Sequence, residues 1–422
     1  MRMQPARNRL ISVLDIGTTK ISCFIARVEQ DRGRGGWRPR IIGVGSHAAR
    51  GVRAGGIVNM AEAESAIRAA VAKAERMADE TVHRVTVNIS CGQPESHMAR
   101  AEVTLSGSEV REVDVKKVLH QARLRNRDPE GHVIHAIPVG YALDGNKGIA
   151  DPRGMFGMRL GACLHFVTAL AGPMRNLAMC VERCHLEIVG CVASPYAAGL
   201  SCLVEDETEL GVTCIDMGGG QTGIALFAAG NLIHIDHVPV GGMHVTNDVA
   251  YGLSTSYATA ERVKALYGSA TVSPSDEREM IDIPCIGEEE RDSANHVPRS
   301  ILNGIIQFRL EETFELIRDR IVASGMQEVA GRKVVLTGGA SQLSGVRELA
   351  AEILGCQVRI GRPIRLDGLP SSVEGAGSAT AAGLISFAMN GPLENGDLVE
   401  TETAQLPVGR LARVGQWLRQ NL

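Results

Sequence analysis

The chain has 422 residues, of which 44% are hydrophobic and 22% are charged, and its formal net charge at pH 7 is −4. This composition is typical of a globular protein with about two to four domains. The slightly acidic balance gives no electrostatic basis for binding nucleic acid, so no nucleic-acid partner is predicted.

Ten cysteines are scattered along the chain and none forms a C-x-x-C pair. Free cysteines behave as small apolar residues in protein cores, so we expect neither disulfides nor a metal cluster, and a reducing, cytosolic compartment. No apolar signal region precedes the first strand, and no apolar run is long enough to span a bilayer. We therefore expect neither a secretory signal nor a membrane-spanning helix.

The first structural signal lies in residues 13–25. An apolar run ends in Asp15, a Gly17–Lys20 turn follows, and a second apolar run leaves it. The pattern predicts a β-hairpin whose turn N–H groups bind an anion, because Gly17 lets the backbone approach closely. Asp15 is placed to hold a hydrated Mg²⁺, and Lys20 can add a positive charge. An ordinary hairpin turn is the alternative interpretation of this stretch alone.

Residues 212–227 repeat that pattern, with Asp216 followed by the Gly218–Gly220 turn. A third glycine turn, Gly338–Ala340, follows the β-branched run at 334–337. A supersecondary unit used twice indicates two related half-molecules that face each other across a nucleotide.

Between the two copies, Asn59 is predicted to cap a helix, with Glu62 three residues later. The strand Val85–Ile89 is followed, up to about residue 167, by a segment of different composition, interpreted as an inserted subdomain. Pro173 and Pro195 are each predicted to begin a helix, because proline suits a first helical position.

In the second half, Glu261 and Lys264 lie three residues apart and therefore on one helical face. They are either a surface ion pair or a pair that contacts a ribose and an adenine. A long helix is predicted at 300–322, and strands and helices alternate from 333 to 387.

The last segment divides into two parts. Residues 390–406 carry glycine, proline and acidic residues without an apolar period, which indicates a flexible linker. Residues 407–422 predict a short, basic, amphipathic helix that lies in the plane of an anionic membrane. Its predicted membrane-binding residues, which include arginines on the face opposite the apolar one, are Arg410, Leu411, Arg413, Val414, Trp417, Leu418 and Leu422. Docking of this helix on the protein itself or on a partner is the alternative.

Taken together, the two Asp–Gly turns and the Gly–Gly turn resemble those of the actin-like ATPase superfamily. Within it, the chain is similar to the FtsA family of bacterial cell-division proteins from about residue 9 to 388, and again in the terminal helix. The segments that carry the resemblance are 42–46, 210–220, 335–340 and 408–422.

The resemblance implies an α/β, actin-like, two-lobed ATPase fold, built as a duplicated ribonuclease-H-like unit, with an inserted subdomain of type 1C and a C-terminal amphipathic helix. The implied division is subdomain 1A at 1–84 and 169–205, 1C at 85–168, 2A at 206–250 and 331–389 with a return to 1A, 2B at 251–330, the linker at 390–406 and the helix at 407–422.

It also implies that ATP and Mg²⁺ bind between the lobes. Asp15 and Asp216 would hold the Mg²⁺ through water. The implied nucleotide-binding residues are Asp15, Gly17, Thr18, Thr19, Lys20, Asp216, Gly218, Gly219, Gly220, Gln221, Glu261, Lys264, Gly338, Gly339 and Ala340.

The family resemblance implies head-to-tail polymerisation on the cytoplasmic side of the inner membrane, at the division site. It implies binding of the C-terminal peptide of the tubulin-like FtsZ in subdomain 2B, near Arg299, and recruitment of later cell-division membrane proteins. Two positions depart from relatives: Gln221 stands where many have threonine, and Ser194 stands where DnaK-type and MreB-type proteins have glutamate. We therefore expect at most weak ATPase activity and assign no catalytic residue.

Two alternatives use the same kind of cleft. An actin-like sugar kinase is disfavoured because the chain has no evident sugar-binding aromatic residues and a kinase needs no lipid-binding tail. A DnaK-type ATPase is disfavoured because a linker and a short helix, not a β-sandwich domain, follow the ATPase unit.

Overall fold

A computed structural model describes residues 9–30, 36–105, 107, 109–125, 131–284, 295–329, 332–364 and 366–390. Its strands are β1 Leu10–Ile16, β2 Lys20–Gln30, β3 Trp37–Ala48, β4 Val52–Arg53, β5 Gly56–Ile57, β6 Arg84–Ile89, β7 Glu95–Thr104, β8 Gly131–Leu143, β9 Asn146–Ile149, β10 Arg159–Leu170, β11 Glu187–Ala193, β12 Val212–Met217, β13 Thr222–Ala228, β14 Asn231–Val238, β15 Met280–Ile283, β16 Asn295–Pro298, β17 Lys333–Thr337 and β18 Gln357–Ile360. Its α-helices are α1 Met60–Ala78, α2 Glu112–Leu124, α3 Ala171–Arg183, α4 Ser194–Cys202, α5 Glu205–Leu210, α6 Gly242–Gly252, α7 Tyr257–Tyr267, α8 Arg299–Ala323, α9 Val346–Leu354 and α10 Ala379–Asn390.

Two five-stranded sheets form the two lobes. The first lobe has the strand order β3-β2-β1-β6-β11, and the second has the order β14-β13-β12-β17-β18. In each sheet the first three strands form an antiparallel meander, and the remaining two continue parallel to the first. The identical topology confirms the predicted duplication of one structural unit.

Strand β1 is buried on both faces because helices cover both sides of its sheet. Successive side chains of a strand point to opposite faces. Accordingly Val13 packs into a core with α4 and α10, whereas Leu14 packs into a core with α1 and α3. Both side chains are fully buried, so the turn that follows β1 starts from a rigid strand.

Helices α4 and α10 cross at very short range between the two sheets. A β-carbon on Gly383 of α10 would lie 1.6 Å from the carbonyl oxygen of Ala197 in α4. Glycine is therefore required at this crossing, because any side chain would force the two helices apart. The contact fixes the C-terminal end of the described chain against the first lobe.

A separate antiparallel sheet, with the strand order β7-β10-β8-β9, and helix α2 form a unit that we call the insert (Glu95–Leu170). The insert has its own apolar core, to which Leu119, Leu160 and Phe166 belong. This confirms that a distinct structural unit interrupts the first lobe, while the proposed subdomain boundaries stay a prediction.

Three helix starts were predicted from local sequence signals. The side-chain oxygen of Asn59 accepts a hydrogen bond from the N–H of Glu62 at the start of α1, as predicted. Pro195 lies in the first turn of α4, also as predicted. The prediction for Pro173 was wrong by two residues: α3 begins at Ala171, because its first turn follows directly from the end of β10.

Candidate functional site

The turns after β1 and β12 are closed by the same type of backbone hydrogen bond. The N–H of Gly17 donates to the carbonyl oxygen of Lys20 at 3.0 Å, and the N–H of Gly218 donates to that of Gln221 at 3.0 Å. Each turn follows a buried strand whose last residue but one is an aspartate, Asp15 or Asp216. The repeated sequence pattern corresponds to a repeated backbone geometry.

The two turns face each other and almost touch. A β-carbon on Gly219 would lie 2.5 Å from Cγ2 of Thr19, and one on Gly220 would lie 2.7 Å from Oγ1 of Thr18. These glycines are required by that close approach. The turns thus bring two sets of backbone N–H groups to one narrow space, which is an arrangement suited to phosphate groups.

The third glycine turn lies beside the second aspartate. Gly338 has a φ of +85°, and a β-carbon there would lie 2.5 Å from Oδ1 of Asp216. Glycine satisfies both the left-handed conformation and the close contact. The neighbouring Ala340 packs near Gly242, where an added β-carbon would lie 3.1 Å from the methyl group of Ala340.

These turns border one cleft of about 740 Å³ between the lobes. All fifteen predicted nucleotide-binding residues line it: Asp15, Gly17, Thr18, Thr19, Lys20, Asp216, Gly218, Gly219, Gly220, Gln221, Glu261, Lys264, Gly338, Gly339 and Ala340. The volume lies within the range typical of small-molecule and cofactor sites. The fold brings together every residue of the predicted set, although their binding role stays a prediction.

Burial raises the pKa of both aspartates. The pKa of Asp15 rises to about 7, mainly through loss of solvation and further through the nearby Asp216, while Lys20 opposes the shift. The pKa of Asp216 rises to about 6 through burial, against a hydrogen bond of 3.1 Å from the hydroxyl of Thr380. A divalent cation between them would favour their ionised forms, so this pair fits a Mg²⁺ site.

The helix pair Glu261 and Lys264 forms part of a connected polar cluster. Lys264 Nζ lies 2.7 Å from Glu261 Oε2 and donates to the hydroxyl of Thr246 at 2.7 Å. The Lys264 side chain is 14% exposed, whereas that of Glu261 is 50% exposed. Lys264 is thus held at the cleft wall, and Glu261, which accepts hydrogen bonds from both Lys264 and Thr246, is half exposed beside it.

Lys20 has a partner that sequence reasoning missed. Its Nζ donates to the carbonyl oxygen of Gly377 at 3.1 Å, across 357 positions of the chain. Thr380 and Asn88 were missed as well. Asn88 had one detectable signal, since it is the single amide in β6, a strand that is otherwise apolar and β-branched after Arg84.

The two departures from relatives are in the cleft wall. Ser194 is buried, and its hydroxyl accepts a hydrogen bond from Asn88 Nδ2 at 3.1 Å, while Asn88 Oδ1 accepts the N–H of Ile16 at 2.7 Å. Gln221 donates from Nε2 to the carbonyl oxygen of Ser90 at 2.6 Å. Both side chains therefore have hydrogen-bond partners within the protein, and neither carries a charge.

Arg299, predicted to contact a partner peptide, begins α8 and also lines the cleft. It forms an ion pair of 2.5 Å with Glu279, and its Nε donates to the carbonyl oxygen of Tyr267 at 2.8 Å. Arg299 thus ties α8 to the segment after α7, and its contact with a partner stays a prediction.

Other expectations concern the chain as a whole. The nine cysteines within the described ranges are free thiols, and the same residues contain no cluster of three or more metal-binding side chains. None of the described helices is long and apolar enough to cross a membrane. The linker beyond Asn390 and the helix at 407–422, with all seven predicted membrane-binding residues, lie outside the described part.

Comparison with known families gives two matches. Residues 213–383 match the family model described as cell division protein FtsA, and residues 91–168 match the model described as the SHS2 domain inserted in FtsA. The second match covers most of the insert.

Curated relatives match along nearly the whole chain. The cell division protein FtsA of Rhizobium meliloti is 45% identical, with 98% of this chain and 95% of that protein covered. Those of Neisseria meningitidis and Escherichia coli K12 are 34% and 32% identical, and each alignment covers 98% of this chain and at least 98% of the relative.

Solved structures agree on the fold. The PilM–PilN type IV pilus biogenesis complex matches with a TM-score of 0.59 at 15% identity, covering 89% of this chain and 97% of that chain. MreB5 of Spiroplasma citri bound to ADP matches with a TM-score of 0.51 at 14% identity, covering 92% and 99%. At these identities the likeness establishes the fold alone, which is the predicted actin-like fold with two lobes.

Proposed function

This chain belongs to the FtsA family of bacterial cell-division proteins, and from that premise we propose that it binds ATP, polymerises on the inner face of the cytoplasmic membrane and tethers the FtsZ ring there. The observation that carries the proposal is the pair of facing turns, Gly17–Lys20 and Gly218–Gln221, which we call the phosphate turns. The third glycine turn, Gly338–Ala340, lies beside them and would contact the adenosine. The chemistry of this cleft suits a nucleoside triphosphate with its metal ion.

The nucleotide would be held mainly by backbone groups. The N–H groups of Gly17 and Gly218 close the turns, so the donors proposed for phosphate oxygens are those of Thr18, Thr19, Gly219 and Gly220. Lys20 adds a positive charge. Asp15 and Asp216 would hold Mg²⁺ through its bound waters. A bound Mg²⁺ neutralises phosphate charge. The solved MreB5 structures, one with ADP and one with AMPPNP, support a nucleotide in this fold.

ATP serves mainly as an assembly ligand in this proposal. Ser194 offers a neutral hydroxyl, already bonded to Asn88, at a position where a carboxylate could orient an attacking water. Gln221 is neutral as well. We therefore expect hydrolysis to be slow. A phosphate-release assay at saturating Mg·ATP tests this, and turnover at the rate of a dedicated ATPase contradicts it.

The partner surface is assigned to α8 and the neighbouring α6. Phe308 and Tyr251 are 73% and 90% exposed, and Ile301 is about half exposed. The nearby Arg309 forms an ion pair with Asp248 that fixes α8 to α6. An exposed apolar face suits a peptide that carries apolar residues, and Arg299, at the start of the same helix, is the predicted contact for its acidic residues. The proposed ligand is the C-terminal peptide of FtsZ.

The helix predicted at 407–422 would supply the membrane attachment. Its three arginines each add about 1 kcal/mol of attraction near anionic lipid, and its apolar face adds burial. The resulting location is peripheral, on the cytoplasmic side of the inner membrane at the division site. Polymerisation would be head to tail between copies of this chain, with later cell-division membrane proteins recruited through the insert.

Electron microscopy on anionic lipid monolayers tests this assembly. Full-length protein is compared with a form that ends at Thr403, each with and without ATP. Filaments that need both the tail and the nucleotide support the proposal. If both forms stay monomeric and off the lipid, membrane polymerisation is wrong, and the cleft should then be tested for small-molecule kinase activity.

A further inference from the structure

The chain leaves the first lobe for the insert through a short, sharply bent connection. Strand β6 ends at Ile89 and β7 begins at Glu95, and between them Gly92 and Gln93 have φ values of +75° and +52°. The carbonyl oxygen of Gly92 accepts the N–H of Leu170 at 2.8 Å, where the chain returns. We call residues 90–94 together with Leu170 the root of the insert.

Both phosphate turns reach this root. Gln221, at the end of the second turn, donates from Nε2 to the carbonyl oxygen of Ser90 at 2.6 Å. On the other side, Thr18 Oγ1 accepts the N–H of Gly55 at 3.3 Å, and Gly55 is pressed against Ser90, since a β-carbon there would lie 2.5 Å from Ser90 Oγ. Ser90 therefore lies between groups that are attached to the two turns.

The second lobe holds the insert at another point as well. The N–H of Ile235 in β14 donates to Ser96 Oγ in β7 at 2.6 Å, and His165 Nε2 lies 2.8 Å from the same hydroxyl. Strand β14 belongs to the same sheet as the β12–β13 hairpin that carries Gln221. If the second lobe moves relative to the first, it therefore pulls on the insert through two hydrogen bonds, Gln221 to Ser90 and Ile235 to Ser96.

We propose that Gln221 is a positioning residue that couples nucleotide occupancy of the cleft to the orientation of the insert. This inference rests on the proposed binding of ATP. A nucleotide that bridges the two turns fixes their separation, and the Gln221 amide transfers that position to Ser90 and so to the bend at Gly92. A threonine hydroxyl is held much closer to the main chain and does not span this distance. If nucleotide changes the affinity of the insert for a ligand by some factor, thermodynamic linkage requires that this ligand changes the affinity of the cleft for nucleotide by the same factor.

Hydrogen–deuterium exchange with mass spectrometry tests the coupling on the full-length protein, in dilute solution without lipid. Saturating Mg·ATP is expected to slow exchange of the root amides about fivefold, the factor that corresponds to one hydrogen bond of typical strength. In Gln221→Thr the root loses this response, whereas the turn at Gly17–Lys20 keeps its own. Gln221→Met, which keeps the side-chain length but not the donor, gives the same result and replaces Gln221→Thr if that variant does not fold.

Gln307→Thr is the matched control, because Gln307 lies in α8 of the second lobe, does not line the cleft, and donates to Oε1 of Glu311 within its own helix. This variant is expected to keep the response of the root. An unchanged root response in both Gln221 variants overturns the coupling, and so does a wild-type protein in which the phosphate turns respond and the root does not. If titration shows that wild type does not bind Mg·ATP at all, the proposed function fails and the coupling fails with it.

Discussion

The contact between the phosphate turns leaves no space for a side chain at Gly219. In Gly219→Ala the added methyl group would overlap Cγ2 of Thr19, so the Thr19 side chain or the turn itself must shift. Overpacking of this kind costs about 1–3 kcal/mol, and we expect at least a roughly tenfold loss of ATP affinity. Equilibrium titration with a fluorescent ATP analogue measures it.

Gly172→Ala is the control for that substitution. Gly172 lies in the first turn of α3 with open space around its α-carbon, so an added methyl group meets nothing. We expect unchanged nucleotide affinity and equal or slightly higher stability, because alanine favours a helix. Wild-type affinity in Gly219→Ala would mean that the turns do not form the phosphate site.

Asp15 combines a cost in stability with a role in binding. Its raised pKa means that the folded protein without nucleotide disfavours the charged carboxylate, so the neutral Asp15→Asn is expected to unfold at a higher temperature at pH 8. The gain is of the order of 1 kcal/mol, since the side chain is partly open to the cleft. The same variant should bind Mg·ATP more weakly. Thermal unfolding and titration test both effects.

Asp79→Asn serves as the control for Asp15→Asn. Asp79 is exposed at the end of α1 in a left-handed conformation that asparagine also adopts, so neither unfolding temperature nor ATP affinity should change. A lower unfolding temperature for Asp15→Asn at pH 8 would contradict the account of this carboxylate.

The same two aspartates predict a pH dependence. Their pKa values of about 7 and about 6 lie above the ordinary value of 3.8, so the folded protein without ligand takes up protons more readily than the unfolded chain. Their contribution to stability therefore falls as pH rises from about 4 to 7.

Binding of Mg²⁺ needs the ionised forms of Asp15 and Asp216, so Mg·ATP affinity should fall as pH drops from 8 to 6. Calorimetry in buffers of different ionisation enthalpy should detect protons released when Mg·ATP binds. A Mg·ATP affinity that does not change between pH 6 and 8 would contradict the assignment of these aspartates to the Mg²⁺ site.

Residues within each turn were predictable, whereas their partners were not. Asp15, Gly17 and their counterparts follow from a repeated local pattern. The hydrogen bonds from Lys20 to Gly377 and from Thr380 to Asp216 join residues more than 150 positions apart. Such pairs depend on how the two lobes pack, and a local sequence pattern carries no information about that packing.

Helix α8 supports a prediction about partner binding. Phe308→Ser on its exposed face should weaken binding of the FtsZ C-terminal peptide at least about tenfold, because apolar anchors dominate such interfaces. Stability should change little, since the side chain is 73% exposed. Fluorescence anisotropy of a labelled peptide measures the effect. Val113→Ser, a 68% exposed position on α2 of the insert, is the control, and equal affinity in both variants would place the peptide elsewhere.

Helix α2 shows how one apolar residue can hide a helical stripe. Its apolar residues include Val113 at the second position of the helix, and with that residue included no single buried face is evident. In the structure Val115, Val118, Leu119 and Ala122 are buried, whereas Val113 is exposed. These four buried residues have the i, i+3, i+4, i+7 spacing of an amphipathic helix, so the sequence carried this face and sequence reasoning missed it.

The whole molecule is two copies of one sheet topology, joined by α4 and α10 and interrupted by the insert. The duplication was predictable because each copy carries its own aspartate and glycine turn. The contact of the insert with β14, through Ser96 and Ile235, was not, because it joins segments that share no sequence pattern. Ser90, at the root of the insert, lines the cleft between the lobes, so the two lobes and the insert meet there.

Calorimetric titration of the full-length protein with ATP, in the presence and absence of Mg²⁺, tests this account most directly. We predict saturable binding of one nucleotide per chain, weaker without Mg²⁺ and much weaker in Asp216→Asn. Absence of saturable binding of ATP or ADP by protein that is shown to be folded would contradict the account, because the facing turns would then have no phosphate to hold.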